Sequence, residues 1–365
     1  MMLTSSKRSD VRAIEDVANQ FRSSNGSDGE LPFGGRLSSL LGLDADGQIG
    51  KILRAALIDP VSELTSNPGK KIRGTLVNMA YRLLNTEVQS SVAAARRIRT
   101  GAQVLELIHA GSLIVDDIED GSQMRRGMPA LHVRHGLPLA LNAGNWLYFW
   151  PFQLVADLGL PKETTLAVYE AYHRTLLRAH FGQAMDLGTR VETLDQDCVA
   201  EVCFASLALK TGALTGFAMV LGGLIAGADA KTTAVLDDFG RELGVGLQMF
   251  DDIGNVTGAR EPSKQYEDFT LSRPSFAWAW AADNSSPKDY SRFVGAVARL
   301  PDAKDIEAWL AKHELVVAAR ASATRHMEQV FAKFISNLEE RRITWSRCAF
   351  DELRNLGEEI ACAYE

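Results

Sequence analysis

Apolar residues recur at helical spacing along most of the chain, from about residue 47 onward. Leu105, Ile108, Ser112 and Val115 illustrate the pattern, because small or apolar residues return every three or four positions. Alanine and leucine are abundant, whereas the alternating β-branched runs that are typical of strands are scarce. The pattern therefore predicts an all-α fold, a helical bundle whose sites are built from side chains on facing helices.

Short breaks that contain glycine, proline or asparagine divide this pattern into helices of about 10–25 residues. The breaks lie near Asn67–Gly69, Gly121, Gly136–Pro138, Gly159–Pro161, Gly227 and Pro262. Two further helices are predicted near the C-terminus, at Asp302–Ala321 and Trp345–Ala361. Residues 1–46 include the loop-like run SSNGSDG, so we predict a peripheral segment at 1–46 and a single helical domain at 47–365.

Composition narrows the class of protein. The 365 residues are 46% hydrophobic and 23% charged, which is enough for a large core. A formal net charge of -7 argues against a nucleic-acid binder that relies on a general positive field. The four cysteines lack zinc-type spacing and are few for a disulfide framework, so a reduced cytoplasmic location is expected. We see neither a signal-peptide pattern nor a run of about 18 apolar residues, so no membrane span is expected.

Four acidic residues follow an apolar helix within five positions: Asp116, Asp117, Glu119 and Asp120. If the helix continues through them, Asp116 and Asp120 lie one turn apart on one face, with Asp117 beside them. A cation would relieve their mutual repulsion, and oxygen-only ligands suit Mg²⁺, which shares its remaining positions with water and substrate phosphates. Arg125 and Arg126 suit the same phosphates because arginine binds them in bidentate fashion. The alternative is a solvated acidic helix end followed by a basic turn.

A second acidic site has the same design. Gln248 precedes the pair Asp251 and Asp252 at the end of another apolar helix, and Asn255 and Lys264 follow. The second site therefore repeats the first design, in which paired aspartates follow an apolar helix.

Other polar residues interrupt apolar helices. Lys70 and Arg73 are three apart at a helix start, where a solvated first turn is the alternative. His109 lies within the apolar helix before Asp116, where a hydrogen-bonded core histidine is the alternative. Gln183 and Asp186 are three apart, and Lys210, followed by Thr211, interrupts an apolar run where it must find a partner or an anion.

The two acidic sites and the runs GKKIR, RRGMPALH, GQAMDL and KTG occur in an order that resembles the trans-isoprenyl diphosphate synthases, or polyprenyl synthetases. The resemblance covers about residues 50–285. It is closest to the geranylgeranyl diphosphate synthases of the eukaryotic type, whose second motif also reads DDxxN. It implies an isoprenoid-synthase-type helical bundle around a central cleft, and a homodimer. It also implies a Mg²⁺-dependent transferase that condenses isopentenyl diphosphate with an allylic diphosphate.

The resemblance also implies a role for each matched residue. The residues expected to bind Mg²⁺, about three ions per active site, are Asp116, Asp117, Asp120, Asp251, Asp252 and Asn255. Those expected to contact the allylic diphosphate are Arg125, Lys210 and Lys264. Those expected to hold isopentenyl diphosphate are Lys70, Arg73, His109 and Arg126. Those expected to line the reacting centre are Thr211, Gln248 and Gln183, the last stabilising positive charge.

The chain departs from the family pattern at three places. Asn255 replaces the last aspartate of the commoner second motif, which lowers the charge of that site by one. The run LSRPSF stands where the family usually has Gly-Lys, so Arg273 is the cation available there, while Pro274 changes the backbone. Lys71 stands where many members have arginine, although the eukaryotic type varies there.

Small residues precede the first aspartates and predict the length of the product. Gly111 and Ser112 lie about one turn before Asp116, so they leave the floor of the cleft open, and we expect a product longer than fifteen carbons, with twenty as the expected length. A class I terpene cyclase of the same fold is one alternative, disfavoured by the complete isopentenyl diphosphate set but favoured by numerous aromatic residues: Trp146, Tyr148, Phe149, Trp150, Trp278 and Trp280. A non-catalytic subunit of a heteromeric synthase is another, disfavoured because both acidic sites are retained.

Overall fold

The computed structural model describes residues 40–42, 47–66, 71–85, 91–258 and 262–362. They fall into two compact units, one within Met1–Gly69 and Leu113–Asn145 and the other within Lys70–Ser112 and Trp146–Glu365. Apart from residues 40–42, the predicted peripheral segment 1–46 lies outside the described residues. The predicted boundary at residue 46 therefore stays a prediction.

Helices make up nearly all the regular structure of the described residues, which confirms the predicted all-α class. The helices are α1 (Gln48–Leu53), α2 (Asp59–Ser66), α3 (Ile72–Leu84), α4 (Val92–Glu119), α5 (Leu131–His135), α6 (Leu137–Phe149), α7 (Pro151–Ala156), α8 (Lys162–Gly188), α9 (Gln196–Leu207), α10 (Ala213–Ile225), α11 (Ala230–Thr257), α12 (Glu267–Thr270), α13 (Phe276–Asp283), α14 (Pro287–Val297), α15 (Lys304–Lys312), α16 (Leu315–Glu340) and α17 (Arg347–Cys362). The remaining elements are π turns at Arg54–Ile58 and Ala208–Gly212, 3₁₀ turns at Val191–Thr193 and Pro262–Lys264, and a hairpin of β1 (Met124–Arg125) and β2 (Met128–Pro129).

Most of the predicted helix breaks lie where the structure has them. Gly121, Gly136, Gly159 and Gly227 all have positive φ, a backbone conformation in which glycine has no steric cost. The predicted single helix at Asp302–Ala321 is wrong, because the structure has two helices there, α15 and α16. Glu314 separates them with a φ of 48°, and no glycine or proline marks that interruption in the sequence.

The core of the second unit is organised around α10. Every residue of this helix is buried, and it packs against α3, α8 and α11. A helix that is apolar on all sides is expected at the centre of a large helical core. With α9 and the π turn between them it forms a continuous run, Gln196–Ile225.

This run bears on the expectation that the chain has no membrane span. Among the described residues, Gln196–Ile225 alone is long and apolar enough to cross a membrane, judged by length and composition. However, 67% of its most apolar window is buried inside the protein. A buried core helix accounts for that composition, because its hydrophobic surface is already covered by neighbouring helices.

Glycines bring α10 and α11 into backbone contact. A Cβ atom built on Gly240 would lie 2.7 Å from both the Gly216 Cα and the Thr215 carbonyl oxygen. Backbone atoms cannot swing aside as a flexible side chain can, so any side chain at residue 240 requires the helices to separate. This contact matters for the site because Thr211 precedes α10 and Gln248 lies on α11.

We expect Gly240→Ala to lower the free energy of unfolding by about 1–3 kcal/mol, because the added methyl group overpacks the helix crossing. Gly188→Ala is the matched control, since a Cβ atom there would meet nothing within 4 Å. Alanine is favoured over glycine in helices, so that control should be neutral or slightly stabilising. Urea unfolding of both variants measures the difference, and equal effects would contradict the close-contact explanation.

The tryptophans of α13 are core residues. Trp278 is fully buried, and its ring packs edge-on against Phe269 at 5.8 Å and against Phe293 at 4.9 Å. Trp280 is also buried. Trp278 therefore belongs to aromatic packing, and the burial of both tryptophans weakens the reason to favour a cyclase.

Candidate active site

The first acidic site, in the first unit, is the C-terminal end of α4. The Asp120 amide donates to the Asp116 carbonyl oxygen at 2.9 Å, so helical geometry continues one residue beyond α4 and places these side chains one turn apart, as predicted. The Ser122 amide then donates to the Asp117 carbonyl oxygen and the Gly121 amide to that of Ile118. This pair of bonds, with Gly121 at a φ of 66°, is a Schellman motif, which ends the helix sharply after the acids.

The two arginines lie on a hairpin that the sequence pattern had not revealed. Arg125 ends β1, and the register pairs it with Met128 on β2. Arg126 and Gly127 form a two-residue loop with φ of 52° and 77°, the positive values that a type I′ turn requires. Arginine rarely adopts this conformation, so Gly127 was the only residue of the loop whose type indicated a turn.

Arg125 turns back onto the acidic helix end. Its Nε donates to the Asp117 Oδ1 at 2.8 Å, its terminal nitrogen contacts the same oxygen, and that nitrogen lies 3.8 Å from the Asp116 Oδ2. The Asp117 side chain is 4% exposed, whereas that of Asp116 is 23% exposed. Asp117 is thus paired with a guanidinium group, and Asp116 is the more accessible carboxylate.

In the second unit, Asp186 brings together two cations. The Lys210 ammonium contacts the Asp186 Oδ2 at 2.8 Å, and the Arg273 guanidinium donates to the Asp186 carbonyl oxygen at 2.8 Å. This carboxylate is the partner that a lysine in an apolar run requires. Gly182, one turn earlier, permits the approach, because a Cβ atom there would lie 2.5 Å from the Lys210 amide nitrogen.

A chain of hydrogen bonds links Thr211 to the second acidic site. The Thr211 hydroxyl donates to the Gln248 Oε1 at 2.8 Å, and the Gln248 Nε2 donates to the Asp252 Oδ1 at 2.9 Å. The Asp252 Oδ2 accepts the Phe276 amide at 2.6 Å, at the start of α13. The orientation of the Gln248 amide is therefore fixed at both ends.

The acids of this second site differ in burial. Asp251 is exposed, whereas Asp252 is 4% exposed and burial raises its pKa to about 7, with the neighbouring carboxylates of Asp251 and Asp186 adding to the increase. Burial also raises the pKa of Asp268 well above its usual range. Asn255 accepts the Asp268 amide through its Oδ1 at 3.5 Å. Hydrogen bonds already occupy some lone pairs of the side-chain oxygens of Asp252 and Asn255. Direct metal binding by either residue would use the remaining lone pairs.

The structure describes three of the four residues predicted to hold isopentenyl diphosphate. Arg73 lies in the first turn of α3, half-buried, and the Glu106 Oε1 accepts the Gly74 amide in the same turn at 3.0 Å. The His109 Nδ1 lies 3.5 Å from the Ser112 Oγ, whose hydroxyl donates to the His109 carbonyl oxygen. Lys70 lies outside the described residues, and Arg126 is exposed on its hairpin.

The remaining predicted residues differ in burial. Gln183 lies on α8, half-buried, and Lys264 ends the 3₁₀ turn with its ammonium 3.8 Å from the Glu267 Oε2. Gly111 is buried on α4 and Ser112 half-buried. The roles assigned to these side chains stay predictions.

Two contributors were missed from the sequence, Asp186 as the partner of Lys210 and Glu106 as the cap of α3. Both the motif GQAMDL and the isolated lysine stand out in the sequence, but nothing there connects them. Glu106 lies 32 residues after the amide that it binds.

No group of three or more His, Cys, Asp or Glu side chains that could hold a metal by itself occurs in the part of the chain that the structure describes. Carboxylates supplied one or two at a time fit Mg²⁺, which keeps water and takes substrate phosphate oxygens as further ligands. The donor set therefore fits a metal that arrives with a diphosphate.

The model of one protein family, described as polyprenyl synthetase, matches residues 54–312. The chain belongs to the polyprenyl synthetase family. The chain is 31% identical over 215 residues to a geranylgeranyl diphosphate synthase of Sulfolobus acidocaldarius, covering 58% of this chain and 60% of the relative. It is 30% identical over 251 residues to a short chain isoprenyl diphosphate synthase of Methanothermobacter thermautotrophicus, covering 67% of this chain and 73% of the relative. The match to the Sulfolobus relative thus spans less than two thirds of its length.

Solved structures share the fold of this chain. A geranylgeranyl pyrophosphate synthetase from Pyrococcus horikoshii superposes with a TM-score of 0.70 at 24% identity, covering 84% of this chain and 90% of the other. A geranylgeranyl pyrophosphate synthase from Corynebacterium glutamicum, complexed with isoprenyl diphosphate and magnesium, gives 0.68 at 21% identity, covering 83% and 90%. At these identities the likeness establishes the fold.

Proposed function

We propose that this protein is a Mg²⁺-dependent prenyltransferase that condenses isopentenyl diphosphate with an allylic diphosphate to form a linear trans product of twenty carbons. One observation carries the proposal: both acidic motifs end apolar helices with an accessible carboxylate, Asp116 in one and Asp251 in the other. The names of the relatives support the same reaction class. A catalytically inactive subunit would not need to keep both sites.

The metal ligands in this proposal are Asp116 and Asp120 in the first motif and Asp251 in the second, with about three Mg²⁺ ions per active site. Asp117 supports the first group from its pair with Arg125, and Asp252 and Asn255 lie beside Asp251. When bound, Mg²⁺ supplies positive charge that stabilises the pyrophosphate as it leaves. The magnesium complex of the Corynebacterium glutamicum structure supports this choice of ion.

Side chains of the protein would bind the two diphosphates and neutralise their charge. Lys210, Lys264 and Arg125 neutralise charge on the allylic diphosphate as its carbon–oxygen bond breaks. Lys70, Arg73, His109 and Arg126 hold isopentenyl diphosphate, whose double bond forms the new carbon–carbon bond. The proton that this adduct loses goes to the released pyrophosphate, so no side-chain base is required.

Thr211, Gln248 and Gln183 are proposed to line the reacting centre. Thr211 donates its only hydroxyl proton to Gln248, so the remaining surface of its oxygen carries lone pairs. Lone pairs and amide dipoles fixed in advance stabilise a cation without reorganising. The Asp252 contact supplies that fixation for Gln248.

The direct test is incubation of the purified protein with Mg²⁺, isopentenyl diphosphate and each of the five-, ten- and fifteen-carbon allylic diphosphates. Linear twenty-carbon alcohol after dephosphorylation would support the proposal. Hydrocarbon formed from one diphosphate without isopentenyl diphosphate would indicate a terpene cyclase instead. Absence of either product would indicate a non-catalytic subunit.

Product length is expected to depend on the residues before Asp116. Replacing Gly111 or Ser112 with phenylalanine places a ring on α4 where the growing chain is proposed to run, so the main product should shorten to fifteen carbons or fewer. Chromatography of the dephosphorylated products measures the change. An unchanged twenty-carbon product in both variants would show that this part of α4 does not set the length.

We also propose a homodimer, because the second unit exposes apolar side chains together. Leu177 and Phe181 lie one turn apart on α8 and are 49% and 64% exposed. Phe149 is 67% exposed and follows Tyr148, whose ring lies 5.1 Å from that of His180. Clustered apolar side chains of this size mark interaction surfaces more often than isolated ones do.

Phe181→Asp should therefore convert a dimer to a monomer in light scattering, because burying the new carboxylate at an interface is costly. Leu166→Asp is the matched control, since Leu166 is 58% exposed on the same helix but lies about four turns from Phe181. A dimer that survives Phe181→Asp would place the interface elsewhere. A cytoplasmic location is also proposed, supported by four cysteines that are all free.

A further inference from the structure

We infer that Asp186 is a positioning residue for Lys210, with its side chain holding the ammonium in place and its backbone holding Arg273 at the same point. This inference rests on the proposed function, in which Lys210 contacts the allylic diphosphate. It concerns a residue to which the resemblance assigned no role. One residue of α8 thus gathers two cations from two separate segments of the second unit.

The geometry shows why the ion pair is more than a surface contact. The Asp186 side chain is 14% exposed and that of Lys210 is 36% exposed, so the carboxylate is the buried partner and the ammonium the accessible one. A free lysine side chain samples many rotamers, and fixing it costs conformational entropy. The carboxylate meets that cost in the folded protein, before any diphosphate binds.

The backbone around Lys210 is fixed as well. Lys210 lies within the π turn Ala208–Gly212, and Gly182 packs against its amide. The helix that carries the carboxylate and the turn that carries the lysine are therefore in close backbone contact, with no room for a side chain at residue 182. The Lys210 ammonium is therefore restricted at both ends of its side chain.

Arg273 contacts the backbone of Asp186. Its guanidinium binds the Asp186 carbonyl oxygen, and its amide donates to the Asp268 carbonyl oxygen at 2.9 Å. The buried Ser272 before it has a φ of 55°, the left-handed conformation that glycine adopts most easily. This loop thus keeps a cation where the family usually has Gly-Lys, and that cation does not depend on the Asp186 side chain.

Asp186→Asn separates the two functions of the residue. It removes the negative charge that holds Lys210 but keeps the carbonyl oxygen that holds Arg273. We expect kcat of prenyl transfer to fall by about tenfold, because the ammonium loses its fixed position when charge develops on the leaving pyrophosphate. The same substitution in a Lys210→Met background should change kcat by less than about twofold.

The matched control is Asp237→Asn. Asp237 is 19% exposed and pairs with Arg178, which lies two turns before Asp186 on α8, at 3.1 Å. It therefore tests the loss of a similar half-buried ion pair away from the proposed site. Its kcat should stay within about twofold of wild type, and a tenfold loss there would overturn the positioning role by showing a general structural effect.

Calorimetry with inorganic pyrophosphate and Mg²⁺ provides a readout that does not need turnover. Asp186→Asn should change the pyrophosphate Kd at least about threefold when Lys210 is present and less than about 1.5-fold in the Lys210→Met background. Equal changes in both backgrounds would overturn the inference. If the wild type binds pyrophosphate with this coupling but forms no prenyl product, the proposed function fails while the positioning role stands.

Discussion

Asp116→Ala should reduce kcat/KM for prenyl transfer by about 10³-fold, the largest loss expected from a single substitution in this protein. Its carboxylate is more accessible than that of Asp117, which is buried against Arg125. Removing one preorganised group that stabilises developing charge commonly costs 10²- to 10³-fold, and a metal ligand affects both the ion and the diphosphate. Steady-state assays with saturating Mg²⁺ measure the loss.

Glu119→Ala is the matched control for this substitution. Glu119 belongs to the same acidic run and to the same final turn of α4, but it is exposed and has no assigned metal role. Its kcat/KM should remain within about threefold of wild type. If both variants lose activity equally, general negative charge at this helix end is what matters, and the specific role of Asp116 is wrong.

Arg125→Ala should lower the free energy of unfolding by about 3 kcal/mol, the largest stability effect expected here. The substitution leaves the buried Asp117 carboxylate without its guanidinium partner, and breaking a buried pair from one side is strongly destabilising. It also frees the hairpin from the end of α4. Urea unfolding monitored by circular dichroism measures the change in the midpoint and in the slope.

Arg126→Ala is the matched control for Arg125→Ala. Arg126 is exposed and has a positive φ, so Arg126→Ala should change stability by less than about 1 kcal/mol. It should instead raise KM for isopentenyl diphosphate, in line with its proposed contact. Equal destabilisation by both substitutions would mean that the hairpin, and not the Arg125–Asp117 pair, contributes the stability.

Local spacing predicted the features that depend on a single helix. Asp116 and Asp120 lie one turn apart because four residues make about one helical turn, whatever the surroundings. Gly121 and Gly227 end helices because a positive φ there needs no partner. These relations are contained in short segments, so the sequence alone was sufficient.

Relations between distant segments could not be predicted in this way. Asp186 is 24 residues from Lys210 and 87 from Arg273, and Asp252 is 24 residues from the Phe276 amide that it binds. Such contacts depend on how helices cross, which apolar periodicity does not specify. The Arg125–Asp117 pair spans only eight residues, but it depends on a type I′ turn with arginine in its first position, which sequence preferences disfavour.

The π turn at Ala208–Gly212 makes the packing of α9 depend on the exact number of residues in this turn. A π turn carries one more residue than a regular helical turn, so it offsets α9 from α10. Deleting one residue would restore a regular helix and rotate α9 by about 100° relative to α10. The buried Val199 and Cys203 would then leave the core. Single-residue insertions or deletions in this turn should therefore be poorly tolerated.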